Sequence, residues 1–308
     1  MALPQNLKQL AARVSNWGRW GPDDQRGTLN FITPDAVRRG AAAVQRGVSF
    51  SLAIPFDEDG PQTGSIPGRI NPTRRMLART VAYTGDPSDF TTSDDAFEMG
   101  VQAATHWDAL AHAGYEGVLY NGIADTAIDE HGATKLGIEH FGPIVTRGIL
   151  LDVARLHGVD ALDAGYAIGA EDLDGAATRA GLHVEAGDIV LVRTGNMRWL
   201  RDGDRRTYVG SAPGLGVGSI GWLHDTQVAA VATDTLAFEV WPPEDPAALL
   251  PVHLLNLRDQ GLVQGQLWYL DALSEDCAGD GVYEFLLAAT PLPLTHALGG
   301  PVAPTATK

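Results

Sequence analysis

The chain has a single cysteine, Cys277, in 308 residues. One thiol cannot close an intrachain disulfide or supply a CxxC metal site. Basic side chains are also scarce, with 22 lysines and arginines against 38 acids and a formal net charge of −16. Such a field repels a phosphate backbone or an anionic bilayer unless a basic patch intervenes. The densest candidate patch, Arg201 to Arg206, is diluted by Asp202 and Asp204. Composition therefore argues against nucleic acid and membrane partners. No apolar run approaches the roughly 20 residues that span a bilayer. The opening MALPQNLKQLAARVSNWG has no basic stretch followed by an uninterrupted apolar one, so a cytoplasmic protein is the expectation. A GxGxxG or Walker loop is missing too, and GLGVGS at 214–219 follows Ala212-Pro213 instead of a strand, which argues against a phosphate cradle.

What is present suits a folded globular protein. Hydrophobic residues make up 44% of the chain, enough for a full core. Thr33 followed by Pro34, with Gly47 beyond, marks a capped helix, and VSFSLAI from Val48 to Ile54 reads as a strand. From Asp57 to Pro87 the text is rich in Gly, Pro, Thr and Arg without a sustained period, and predicts a long surface excursion. Gly148 to Val153, Asp188 to Thr194 and Gln227 to Thr233 read as buried strands. Helical patterns near Ala170 to Ala180 and Asp245 to Gln260 alternate with them. The fold class expected is α/β, in one domain over 1–308 with an N-terminal helical extension at about 1–47.

The chemistry concentrates in THWDALAH, Thr105 to His112, which places two of only nine histidines around an aspartate. If a strand leads into Asp108, then Gln102, His106 and Asp108 share one face, because side chains alternate. A turn through Ala109-Leu110-Ala111 would return His112 to the same spot. A carboxylate and an imidazole together suit a divalent metal with open positions for water. The same residues equally fit a satisfied core histidine, a turn aspartate and a surface histidine.

The stretch resembles the H-x-G-T-H-x-D-x-x-x-H signature of the cyclase family of metal-dependent hydrolases, which includes bacterial kynurenine formamidase and isatin hydrolase. The likeness extends over most of the chain, through GPDDQRGTLNFIT (21–33), YNG (120–122), RGILLDVA (147–154), GDIVLVRTGN (187–196) and LPVHLLNLRDQGLVQGQLWYLDAL (250–273). It implies a swivelling β/β/α domain, usually in homodimers or homotetramers. By the same likeness His106 and Asp108 match metal-binding positions, and His112 matches the proton donor and acceptor. His253 matches the late metal-binding histidine and is expected as a catalytic contact or a leftover ligand. Two positions depart from the kynurenine formamidase pattern. Its first histidine is Gln102 here, and its late bridging glutamate aligns with Gln266, although alternation puts Gln264 on the same face. Neutral amides at these two places favour one ion over two. The isatin hydrolase pattern, one manganese held by His, Asp and Gln, is similar, so the expected set is His106, Asp108 and Gln266 around Mn²⁺, with Zn²⁺ as the other candidate.

The resemblance implies a hydrolase that attacks the carbonyl of a small amide, lactam or lactone with a metal-activated water, His112 serving as general base and acid. Two other functions compete: a metal-dependent cyclase or dehydratase of a biosynthetic intermediate, and a small-molecule binding protein that lost turnover. Trp107 is expected in the core. Asp234 and Glu239, in TDTLAFEVWPPED, could approach the site from a strand end and receive no role from the sequence.

Overall fold

Four apolar runs, Val145–Asp152, Ile189–Arg193, Ala230–Thr233 and Val263–Gln266, lie side by side as parallel strands. Nearly every residue in them is buried, as parallel strands covered on both faces require. Alternation divides their side chains. Leu150, Leu191 and Ala230 join the core on one face, and Ile149, Leu151, Val190 and Val192 join the core on the other. The computed structural model describes residues 3–308.

Antiparallel strands extend this centre into a nine-stranded sheet. On one side follow Glu284–Ala288, Thr305–Thr307 and Ser49–Ser51; on the other follow His106–Asp108 and Gly299–Pro301. The expectation of mixed α/β structure is met, with each buried strand found within a few residues of its expected place.

The helices cover the sheet. Pro34–Ala42 is capped as expected, the Thr33 hydroxyl accepting from the Ala36 N–H at 3.3 Å. It stops at Ala42, so Gly47 is not its cap. The Gln5–Val14 helix buries Leu7, Ala11 and Val14 against the body, and Asn16 donates to the Gln260 carbonyl at 2.9 Å. Helix Ala170–Arg179 falls where its pattern placed it. The pattern near Asp245 begins late: the chain is helical only from Pro251, through Pro251–His253 and a wider-wound π turn over Leu254–Gln260.

The surface excursion needs correction. Residues 57–72 are irregular as expected, but Thr73–Ala82 pairs with Thr91–Glu98 as an antiparallel hairpin arm, with a turn at 83–90. Both strands are mostly exposed, so neither shows the apolar alternation by which a half-buried strand is recognised.

The strand that carries THWD is shorter than expected, spanning His106–Asp108 alone, and Gln102 lies in the turn before it. Its register sets the site. His106 pairs with Gln266 and Trp107 with Gly265. The Gln264-Gly265-Gln266 triplet thus presents both amides on the His106 and Asp108 face, while Gly265 lies under Trp107 on the other. A Cβ at Gly265 would lie 2.7 Å from the Trp268 indole nitrogen and 2.8 Å from the Trp107 ring. Trp107 is fully buried, donates to the Ala289 carbonyl at 2.7 Å and meets Trp268 edge-on, as a core residue should.

Candidate active site

His106 and Asp108 sit two apart on one face of a buried strand, with no exposure to solvent. The His106 Nδ1 lies 2.7 Å from the Ala104 carbonyl oxygen, which can only accept, so this nitrogen carries the ring proton and donates. Its Nε2 is left 3.4 Å from Asp108 Oδ1, and neither atom has a hydrogen-bond partner among the described residues. The other carboxylate oxygen, Oδ2, accepts from Gln266 Nε2 at 2.7 Å and from Gln264 Nε2 at 3.2 Å.

The chain turns after Asp108, the His112 N–H closing back on the Ala109 carbonyl at 2.9 Å. This brings His112 Nε2 within 3.8 Å of Asp108 Oδ1. Gln102 reaches the same ring from the far side, its Nε2 3.4 Å from His112 Nδ1 and 3.1 Å from the Leu298 carbonyl it donates to. His253 enters from its short helix with its Nε2 3.3 Å from Gln266 Nε2. Its Nδ1 lies 2.5 Å from Glu239 Oε1, and the same carboxylate accepts the backbone N–H groups of Val252 and His253.

The charges respond to this crowding. Burial alone pushes the Asp108 carboxyl up, but the three histidines around it outweigh that and hold it below the usual carboxylate range. Asp108 pulls His112 up, yet burial, His253, His106 and Arg69 together push it below the usual histidine range. Burial lowers His253, but Glu239, with help from Asp108, more than restores it, so its net direction is up.

Above these groups lies a cavity of about 320 Å³ whose lining includes His112, His253, Gln266, Arg69, Tyr208 and Trp241. Apolar side chains, among them Ile66, Leu236 and Leu250, make up much of the remainder. Its size and mixed lining suit a small molecule.

The five residues proposed from the sequence, His106, Asp108, His112, His253 and Gln266, are therefore brought together. Asp234 is not: its carboxylate is taken by the Thr194 N–H, the Thr194 hydroxyl and the Gly195 N–H, away from the cavity. Glu239 does belong, as the anchor of His253. Gln264 also reaches Asp108, so the two glutamines act on one carboxylate together. Arg69 and Tyr208 had no sequence signal, since one lies in the irregular stretch and the other in a short helix remote from the motif.

The Cyclase family matches residues 50–240, which include the THWDALAH motif. The chain belongs to the cyclase family. A solved structure described as a novel cyclase is 40% identical, with a TM-score of 0.87, over 96% of this chain and 99% of that one. Isatin hydrolase A from Labrenzia aggregata, bound to benzyl benzoate, is 18% identical with a TM-score of 0.63, covering 87% of this chain and 96% of its own. A predicted metal-dependent hydrolase from Bacillus stearothermophilus is 18% identical with a TM-score of 0.51, covering 85% and 98% respectively. No curated protein matches the chain. The swivelling β/β/α fold expected of a cyclase family member is the fold observed. No helix among the described residues is long and apolar enough to cross a membrane.

Proposed function

We propose that this cyclase family member is a metal-dependent hydrolase of the carbonyl of a small amide, lactam or lactone. The observation that carries the reading is the pair of orphaned buried atoms, His106 Nε2 and Asp108 Oδ1, beside the cavity. A buried lone pair beside a buried carboxylate oxygen, both without a partner, is costly unless a cation lies against them. The His106 ring is oriented for this role by its bond to a backbone carbonyl, the usual arrangement behind a metal-ligating imidazole.

No group of three or more His, Cys, Asp or Glu side chains among the described residues is placed to hold a metal. A third ligand must come from an amide, and Gln266 is the one proposed. Its nitrogen faces Asp108 at 2.7 Å, so ligation through oxygen requires the amide to turn over. Amide oxygen, carboxylate and water favour Mn²⁺, with Zn²⁺ also compatible. The neutral Gln102 and Gln266 favour one ion.

When bound, a divalent ion supplies Lewis acidity toward a carbonyl oxygen and lowers the pKa of water. His112, more open to the cavity than His106 and held below the usual histidine range, takes up a proton during attack and returns it to the leaving nitrogen or oxygen. His253, fixed by Glu239, contacts the substrate from the cavity lining beside Gln266.

The working unit we propose is a homo-oligomer built through the hairpin arm. Leu77, Val81, Tyr83, Phe90 and Phe97 are exposed on it, a larger apolar surface than a solitary arm would carry in water. Its first strand carries Arg74, Arg75 and Arg79, of which Arg74 is paired with Asp95 of the second strand at 3.0 Å, leaving Arg75 and Arg79 to meet the acids of a second copy.

The test of the hydrolase reading is bound metal per chain in protein purified without added metal or chelator, with an Asp108→Ala control, followed by a lactam, lactone and amide hydrolysis screen. About one manganese or zinc per chain, lost in the control, is the expected result. No metal even after reconstitution would sink the reading.

A further inference from the structure

We propose that Arg69 recognises an anionic group, a carboxylate, on the substrate. The proposal rests on the hydrolase reading of this same site and adds the substrate's class to it. Arg69 lines the cavity together with His112, His253 and Gln266. It is half-buried, and among the described residues its guanidinium has neither a hydrogen bond nor an ion pair within 4.0 Å, the Asp108 carboxylate acting on it only at longer range. The more deeply buried arginines are treated quite differently. Arg147 meets Asp188, Glu185 and Glu284 within 3.0 Å, and Arg193 meets Asp152 and Asp271 within 3.2 Å.

Half-buried Arg198 also has no ion pair, but its guanidinium lies 4.5 Å from the Trp199 ring centroid, whereas Arg69 lines the cavity. Burial works against its charge there, and attraction from Asp108 offsets only part of that cost, so an anion that enters the cavity gains from it. Its fork of donors matches a carboxylate in two-point contact.

The position is also held firmly. Gln62 and Asn71 bond each other, the Gln62 N–H donating to Asn71 Oδ1 at 2.8 Å and Asn71 Nδ2 returning to the Gln62 carbonyl at 3.0 Å. Gln62 Nε2 ties this loop to the Ala103 carbonyl at 2.9 Å, and the Gly100 N–H donates to the Ile70 carbonyl at 3.2 Å. Arg69 is thus fixed between two anchored ends, close to the start of the motif. Beside it, Ile66, Leu236, Trp241 and Leu250 give the cavity an apolar wall. The substrate class is accordingly a compact molecule with an apolar or aromatic body, a hydrolysable carbonyl set against the histidines and a carboxylate set against Arg69.

The test compares binding of phenylacetate with that of its neutral isostere phenylacetamide, by calorimetry on the protein as purified and after chelation. Arg69→Met and Arg69→Lys are measured beside the native chain. Native protein is expected to favour phenylacetate at least tenfold; the methionine variant should reduce the preference to about one without changing phenylacetamide binding, and the lysine variant should keep part of it. Equal binding of the two ligands by native protein, or binding of neither, overturns the proposal. So does a preference that survives in Arg69→Met, or one abolished by chelation alone, which would assign the carboxylate to the metal. Unchanged melting of the methionine variant separates lost recognition from lost folding. Failure of the hydrolase reading is read elsewhere, in metal content and turnover, so either proposal can fall while the other stands.

Discussion

Glu239 grips His253 at two points of the same residue, its Oε1 lying 2.8 Å from the backbone nitrogen and 2.5 Å from the ring Nδ1. The other oxygen takes the Val252 N–H at 3.1 Å, so one buried carboxylate fixes both the start of the helix and the direction of the imidazole. Glu239→Gln places an amide N–H against one of these donors. We expect a loss of about 1 to 3 kcal/mol in stability from the mismatched group and about a 10- to 100-fold fall in kcat/KM. Urea titration and steady-state kinetics check the two effects; a variant with native kinetics would remove His253 from the active site.

His112→Asn should lower kcat by about 10² to 10⁴, the usual worth of a positioned acid and base. Metal per chain should stay at the native value, because His106, Asp108 and Gln266 remain. If the metal leaves with His112, the imidazole is a ligand and the assignment of a proton-transfer role is wrong.

Gly265→Ala should lower stability by about 1 to 3 kcal/mol, the common cost of overpacking a core, because the added Cβ meets Trp107 and Trp268. Activity should fall with it, since any shift of this strand moves Gln264 and Gln266 relative to Asp108. Chemical denaturation together with activity at a temperature where the variant is folded tests both. Native stability would show that the two indoles can move aside.

Burial pushes the Cys277 thiol up to about 12, against a smaller opposing pull from Lys308. Native protein should therefore resist iodoacetamide at pH 8 and react once unfolded. The sign of the linkage is set by the raised folded value. The thiol's contribution to stability is fully present below the unfolded value near 9 and declines as pH rises above it. Rapid alkylation of the folded chain would contradict this.

Sedimentation velocity should find the native chain as a dimer or tetramer. Replacing Leu77, Tyr83 and Phe90 by serine should shift it toward monomer without loss of helix or sheet by circular dichroism. Monomeric native protein at micromolar concentration would exclude the arm as an oligomer contact.

Much of this protein is decided by local sequence. The apolar runs at Val145, Ile189 and Ala230 become buried strands because their length and β-branched content leave few alternatives. The Thr33-Pro34 start behaves as its capping chemistry dictates. The proximity of His106, Asp108 and His112 follows from a strand and a tight turn, both short-range. Other features are set only by tertiary structure. The hairpin arm has no amphipathic pattern, because a strand exposed on both faces needs none. Glu239 and Gln264 come to the site from strands and loops more than 100 residues away from THWDALAH, and their roles depend on sheet order and register. Arg69 is the clearest case: the sequence shows an arginine in an irregular, glycine-rich stretch, and only the folded chain shows that it lines the cavity beside His112 and His253. Short-range periodicity determines which residues are buried; which polar groups then meet, and which are left without a partner, is settled by long-range packing that no local pattern encodes.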